Sequence, residues 1–472
     1  MIEWGVAAGT HDGSLTVVKG KEIIFASHSE RYSGIKNDAH LHPQLILDAL
    51  QYGEPDIVYW YENPLLKAAR KIYAGQKDVW LSPKKYLENW GINAPIKWGK
   101  HHESHAAAGY YTSPFGSSAI LVIDAIGEFD TTSIWLGSDR LQKLYSEKYP
   151  RSLGLFYSAI THRVGLKPNE DEYILMGMSA YGEPKYYNNL RKQVWGKNLH
   201  KGCSFFEPYA SLNEFDLAAS AQKIYEEEFE ALLMKTKELT RSKNLVIMGG
   251  CALNCLANRL ASKWFDNIWI MPNPGDAGSS LGAIAAAKKE KLNWNSPYLG
   301  YNIEGDYPTE AILEELKNTG IVGVANGRAE FGPRALGNRS LLADPRGETM
   351  KDKVNAIKQR QEFRPFAPVI RKEDVTKYFD VLPEFESPYM QFIVKCKHPE
   401  AYPAIVHRDG TSRVQTVTKQ QHPALHELLG RWKKQTGCPM LLNTSLNIKG
   451  KPIVNTQNDA KQFAKYYDVK VF

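Results

Sequence analysis

The chain has 472 residues, 43% hydrophobic and 24% charged, with a formal net charge of +7. One hydrophobic core rarely serves such a length, so two or three domains are expected, with the composition of an ordinary soluble globular protein. No uncharged apolar run reaches the ~18 residues a membrane span needs. The start MIEWGVAAGT sets no basic segment ahead of an apolar core, so neither a span nor a signal peptide is expected.

The charge is unevenly placed. Up to residue 300, 33 basic residues face 32 acidic ones; from residue 301 onward, 26 face 20. A surplus confined to the C-terminal third suggests a local anion site at least as much as a nucleic-acid surface. The five cysteines, Cys203, Cys251, Cys255, Cys396 and Cys438, are scattered. They read as packing residues of a protein in a reducing cytoplasm.

In chain order, WGVAAGTHDGSLTVV, the polar turn KGKE and IIFASHSER alternate as paired strands do, which predicts an N-terminal hairpin. Residues 41–110 read as mainly helical with loops. SSAILVIDAIGEFDTTSIWLG is a buried strand, a glycine turn and a second strand. LVIMGGCALNCLANRLAS runs from a strand through a glycine pair into a helix, and NIWIMPNPGDAGSSLGAIAAAKKE repeats that pattern. Such alternation indicates an α/β sheet with sites at its strand ends. KLNWNSPYLGYNIEGDYP reads as a linker, and a second α/β unit follows from about residue 305.

Within HHESH, His101 and His105 are four apart and share one face of a helix. Two imidazoles so placed can converge on one cation, but they need further ligands from elsewhere in the chain. The alternative is a polar helix start. Asp124 ends the apolar run AILVID, where an acid has little structural reason to be, and Asp276 lies in a glycine-flanked turn before a small-residue helix. Asp276 is either a helix N-cap or a metal carboxylate; with the two histidines and Asp124 it makes a set suited to a divalent ion such as iron or manganese.

The turns HDGSLTVV and DAIGEFDTT, with GGCALN as a third, can offer backbone amides to phosphate. They suggest a nucleotide held between two lobes, with Gly127, Thr131, Gly249, Gly250 and Asn254 as candidate contacts. EFGPRALGNRSLLADPRG and IKQRQEFRPFAPVIRK interleave arginines with apolar residues, a pattern that either holds a planar anion or makes buried structural ion pairs.

Taken together, SHSERYSGIKND, HHESHAA, LVIDAIGE, GGCALNCLAN, NPGDAGSSLGA, GRAEFGPRALGNRSLLADPR, FRPFAPVI, TSRVQTV and LLNTSLNIKGKPIV resemble the O-carbamoyltransferases of the NodU/CmcH type. The resemblance covers nearly the whole chain. It implies an actin-like (ASKHA) two-lobed α/β domain over residues 1–295 and a YrdC-like α/β domain over 296–472. It further implies that carbamoyl phosphate and ATP form carbamoyl-adenylate in the second domain. The carbamoyl group then moves, beside a metal in the first, to an acceptor hydroxyl. By motif position the metal ligands are His101, His105, Asp124 and Asp276, with His11 and Lys36 beside the acceptor. Lys358, Arg360, Arg364, Arg413, Asn443 and Ser445 would bind carbamoyl phosphate and nucleotide phosphates, and Arg334 and Arg339 lie on a companion arginine loop. Tyr173 departs from the pattern, standing where a lysine or glycine is common.

Two other readings compete: a kinase of the actin-like superfamily, and a non-catalytic nucleic-acid binder. For a carbamoyltransferase the acceptor is a sugar, a glycan, a natural product or a hydroxymethylated pyrimidine in DNA. The last draws on the basic C-terminal third and on aromatics such as those of DIVYWYENP and NWGINAPIKWGK, expected to be exposed for base stacking. A homo-oligomer is compatible with all of these readings.

Overall fold

The computed structural model describes every residue except 78–81, 205–212, 360, 362 and 365. The chain divides into two units, Met1–Ser29 with Asn37–Trp294, and Glu30–Lys36 with Asn295–Phe472. Residues 30–36 thus group with the C-terminal part although the chain then returns to the first unit. Among the described residues no helix is long and apolar enough to cross a membrane.

The first unit holds two five-stranded sheets on one plan. Strands β1 (Ile2–Ala7), β2 (Ser14–Lys19), β3 (Glu22–His28), β4 (Ile57–Trp60) and β5 (Ile96–Trp98) lie in the order β3-β2-β1-β4-β5. The first three pair antiparallel, and β1, β4 and β5 run parallel. Strands β6 (Ser118–Gly127), β7 (Asp130–Gly137), β8 (Leu141–Lys148), β9 (Asn244–Met248) and β10 (Asn267–Trp269) repeat the order and senses as β8-β7-β6-β9-β10. This duplication is the two-lobed actin-like plan that the resemblance implied. Centrally placed β6 is buried over its first seven residues and β9 over its last four, because both faces are covered.

Three expectations are corrected. The N-terminus forms three antiparallel strands rather than one hairpin. Residues 41–110 contain β4 and β5, whose four and three residues are too short to show a period-2 pattern. The supposed linker contains β11 (Tyr298–Ile303), part of the second unit. The aromatic run also inverts the expectation of exposure: Trp60 and Tyr61 are each 1% exposed, and of the two stretches only Trp98 presents a largely exposed ring. Val58, Trp60, Tyr61 and Glu62 of DIVYWYENP are buried, while Tyr59 is half-buried.

In the second unit, β11 pairs antiparallel with β13 (Gly327–Glu330). A mixed sheet joins β12 (Ile321–Ala325), β14 (Arg339–Ala343), β15 (Ala367–Arg371), β18 (Gln415–Val417) and β19 (Met440–Ser445) in the order β12-β14-β19-β15-β18. Strands β16 (Ile393–Lys395) and β17 (Thr411–Arg413) form a separate antiparallel pair. The helix Pro423–Thr436 starts at proline with His422 accepting from the Leu425 amide, and ends at left-handed Gly437. It buries Leu425, Leu428, Leu429 and Trp432 in the core that the sheet provides.

Candidate functional site

The helix His101–Thr112 starts without a side-chain cap from Lys100. Its first amide is met instead by Glu128 Oε1, which accepts from His101 N at 3.4 Å and from Asn63 N at 2.6 Å. Glu128 is aimed there by a left-handed backbone (φ 57°) in the β6–β7 hairpin. For a non-glycine residue that conformation costs about 1–2 kcal/mol. The helix is buried except at Glu103. The helix Ser279–Lys288 packs on it so closely that a Cβ on Gly282 would lie 1.9 Å from Ser104 O. Only glycine permits that approach, and it brings the start of one helix to the start of the other.

Asp276 opens the 3₁₀ turn Asp276–Gly278 that feeds Ser279–Lys288, and its carboxylate caps no amide there. The N-cap alternative is therefore not what the side chain does. It turns instead toward the histidines, and one ligand atom from each of His101, His105, Asp124 and Asp276 lies within 4.8 Å of all the others. His101 Nε2 is 3.1 Å from Asp124 Oδ2 and 3.3 Å from Asp276 Oδ1. His105 Nε2 is 3.2 Å from Asp276 Oδ1, 3.5 Å from Asp124 Oδ2 and 3.2 Å from His101 Nε2.

The opposite ring nitrogens also face acceptors: Ser279 Oγ is 3.3 Å from His105 Nδ1, and Glu62 Oε2 is 3.5 Å from His101 Nδ1. Against burial, the facing carboxylates raise both His101 and His105, and a divalent cation that displaced the Nε2 protons would meet four converging lone-pair donors. A divalent cation satisfies that arrangement, so the residues present fit a metal. Burial pushes both carboxyls up, but the histidines outweigh it: His101 and His105 hold Asp124 well below its usual range, and His101 and His11 hold Asp276 low. Both acids therefore stay ionised. His102 points away, 2.8 Å from Ser133 Oγ, and burial together with neighbouring His101 lowers it to about 3.

His11 Nδ1 is 3.0 Å from Asp12 Oδ2, and its Nε2 is 3.7 Å from Asp276 Oδ2. In the HDGS turn two amides are engaged within the fold. Asp12 N donates to Asn37 O and Gly13 N to Asp38 O. Lys36 lies on Glu30–Lys36, which groups with the second unit.

Of the five candidate nucleotide contacts, three border the His/Asp cluster. Gly127 packs on the His101 ring, Gly249 (φ 90°) turns against Ile123 O, and Gly250 approaches Asp124 Oδ1. The other two are engaged within the fold. Thr131 Oγ1 donates to Arg151 O at 2.6 Å, and Asn254 caps Ala257 N and pairs with Gln222.

In the second unit, the Lys358 ammonium donates to Ser445 O (2.6 Å), Asn447 O (3.1 Å) and Asn447 Oδ1. Ser445 Oγ donates to Asn447 Oδ1 at 2.6 Å. Asn443 Nδ2 donates to Gln415 Oε1 and Ala335 O, tying β19 to the loop that carries Arg334. Arg413 Nε and Asn443 Oδ1 are buried with no hydrogen-bond partner among the described residues. Arg364 donates to Gln361 Oε1 at 3.3 Å, and Arg360 lies outside the described residues.

Arg339 corrects the reading of its loop. It is fully buried, and among the described residues its guanidinium donates only to backbone carbonyls: those of Asn455, Asn326, Gly327, Asn338 and Tyr301. Burial, against the pull of Glu330, lowers it to about 10. It ties the sheet together rather than holding an anion, and rather than making the ion pair that was the alternative. Glu330 Oε1 accepts from the amides of Leu336, Asn338 and Arg339, fixing the loop from its other side.

Sequence reasoning missed Asn447 as a partner of Lys358, and missed Glu62, Lys67 and Ser279 behind the histidines. An acid beside the buried aromatics of YWYENP was the one available signal for Glu62.

Residues 82–286 match the family model described as Carbamoyltransferase N-terminus, and residues 313–472 that described as Carbamoyltransferase C-terminus. The chain is 32% identical to a 3'-hydroxymethylcephem-O-carbamoyltransferase of Streptomyces clavuligerus, over 98% of this chain and 95% of that protein. It is 32% identical to Nodulation protein NolNO of Sinorhizobium fredii (strain NBRC 101917 / NGR234), over 95% of this chain and 76% of that protein. Among solved structures, full-length HypF in the phosphate- and nucleotide-bound form is similar at 13% identity and a TM-score of 0.40. That match covers 61% of this chain and 46% of HypF.

Proposed function

The chain belongs to the carbamoyltransferase family and is a carbamoyltransferase, and from that premise we propose that it moves the carbamoyl group of carbamoyl phosphate, through carbamoyl-adenylate, to an acceptor hydroxyl. In the first step carbamoyl phosphate, ATP and water give carbamoyl-adenylate, orthophosphate and pyrophosphate. In the second the acceptor oxygen attacks the carbamoyl carbon, AMP leaves, and the hydroxyl proton passes to the enzyme.

The second unit, read as YrdC-like, serves the first step. Arg413 Nε and Asn443 Oδ1, a buried donor and a buried acceptor without partners, are suited to a polar ligand, since such atoms rarely go unsatisfied. Lys358 holds the Ser445–Asn447 turn in shape, and Arg334 and Arg364 add cationic charge for phosphate.

The first unit serves the second step. Asp12 fixes the His11 ring through Nδ1 and turns Nε2 toward Asp276, which places this imidazole to exchange a proton with the acceptor hydroxyl. His101, His105, Asp124 and Asp276 would hold a divalent ion, iron or manganese by donor type, which would polarise a carbonyl oxygen as a Lewis acid. Gly127, Gly249 and Gly250 let the chain pack closely around that cluster.

The acceptor class is a hydroxyl of a sugar, a glycan or a natural product, in keeping with the named activity of the cephem enzyme. The observation that carries the reading is the convergence of two imidazoles and two carboxylates from three separated segments on one point. The test is a screen of hydroxylated acceptors with ATP and carbamoyl phosphate, scored by mass for one added carbamoyl group. A metal-replete enzyme that releases pyrophosphate yet carbamoylates none of a broad panel of sugars and natural products would contradict the acceptor class.

A further inference from the structure

We infer that Glu62 and Lys67 are positioning residues for the candidate metal site, acting through His101. The inference rests on the metal reading above. Glu62 ends the buried segment that follows β4, and Lys67 lies one turn into the helix Pro64–Tyr73. Both are buried, at 3% and 6% exposure. Such residues are rarely buried unless each serves the other.

Their contacts run in line. Lys67 Nζ donates to one carboxylate oxygen, Glu62 Oε1. The other, Glu62 Oε2, stands 3.5 Å from His101 Nδ1. That nitrogen is buried and has no hydrogen bond of ordinary geometry among the described residues. The carboxylate is thus the acceptor facing an otherwise orphaned N–H, and it selects the tautomer that turns the Nε2 lone pair into the cluster. Lys67 fixes the carboxylate in that orientation.

Lys67 has a second task. Its ammonium also donates to Thr10 Oγ1 at 2.6 Å, and Thr10 immediately precedes His11. One buried cation therefore braces both the imidazole of His101 and the turn that carries the His11–Asp12 pair. A purely structural ion pair would explain the burial. It would not explain why the free carboxylate oxygen faces a histidine of the cluster.

The experiment measures divalent-ion affinity by titrating the apo-protein with Mn²⁺. It also records the Co²⁺ absorption bands, which report the ligand field without any turnover. Glu62→Gln should weaken Mn²⁺ binding about 10–100-fold and shift the Co²⁺ bands, with His105→Ala as the reference for a lost ligand. Because Glu62→Gln leaves Lys67 buried and unpaired, the double variant Glu62→Gln/Lys67→Met is the deciding arm. It removes both charges together, so thermal stability should recover while ion affinity stays low. A double variant that folds and binds Mn²⁺ as the unmodified chain does would overturn the inference while leaving the metal reading standing. If the unmodified chain binds no divalent ion at all, the metal reading itself fails, and the inference falls with it.

Discussion

Replacing Gly282 with alanine tests how the metal cluster is assembled, without touching a ligand. The added Cβ would lie 1.9 Å from Ser104 O and 3.1 Å from Ala108 Cβ. A carbon and a carbonyl oxygen need about 3.3 Å, so the two helices would have to part by roughly 1.4 Å. The obstacle is backbone, and no rotamer change can relieve it. Ser104 lies between His101 and His105 on one helix, and Asp276 and Ser279 begin the other. Metal–ligand distances tolerate only about 0.2 Å, so a parting of this size should lower divalent-ion affinity by at least ~100-fold. Overpacking of this kind destabilises by about 1–3 kcal/mol, which leaves the chain folded. The assay is metal content after purification, Mn²⁺ titration, and circular dichroism for the fold. Gly116→Ala, where an added Cβ meets nothing within 4 Å, is the control. A folded Gly282→Ala protein with unchanged affinity would refute the idea that this helix contact sets the site.

Three further outcomes are expected. His105→Ala and Asp276→Ala should each lose bound metal and transfer activity with the fold intact; metal analysis at full occupancy in both would contradict the ligand assignment. Arg413→Ala or Ser445→Ala should stop pyrophosphate release from ATP, whereas His11→Ala should leave that release running and block transfer alone. Arg339→Met should cost at least about 1–3 kcal/mol in urea denaturation, the range for leaving a buried hydrogen-bonding group unsatisfied. A transition at the unmodified urea concentration would show that the five carbonyls gain little from the guanidinium.

How far the sequence could be read follows from where each signal lies. His101 and His105 were legible because helical spacing alone puts them on one face, and Asp124 because an acid at the end of AILVID has no packing role. Asp276 was ambiguous, since an aspartate before a helix is an N-cap more often than anything else; only its side-chain direction resolves that. Glu62 and Lys67 were hidden, because a carboxylate beside Trp60 and Tyr61 reads as surface until the strand is known to be central. Arg339 misled for the opposite reason. Arginine among apolar residues suggests an anion, and a cage of carbonyls leaves no mark in local sequence. The repeated sheet order was legible only in pieces: β6 and β9 announce themselves as apolar runs, whereas β5 and β10 have three residues each.

The most direct test of the whole account is product analysis with the unmodified, metal-replete chain, ATP, carbamoyl phosphate and an acceptor found by the hydroxyl screen. The account requires AMP and pyrophosphate as the nucleotide products, together with an acceptor heavier by one carbamoyl group. ADP with a phosphorylated acceptor would contradict it and return the chain to the kinase reading.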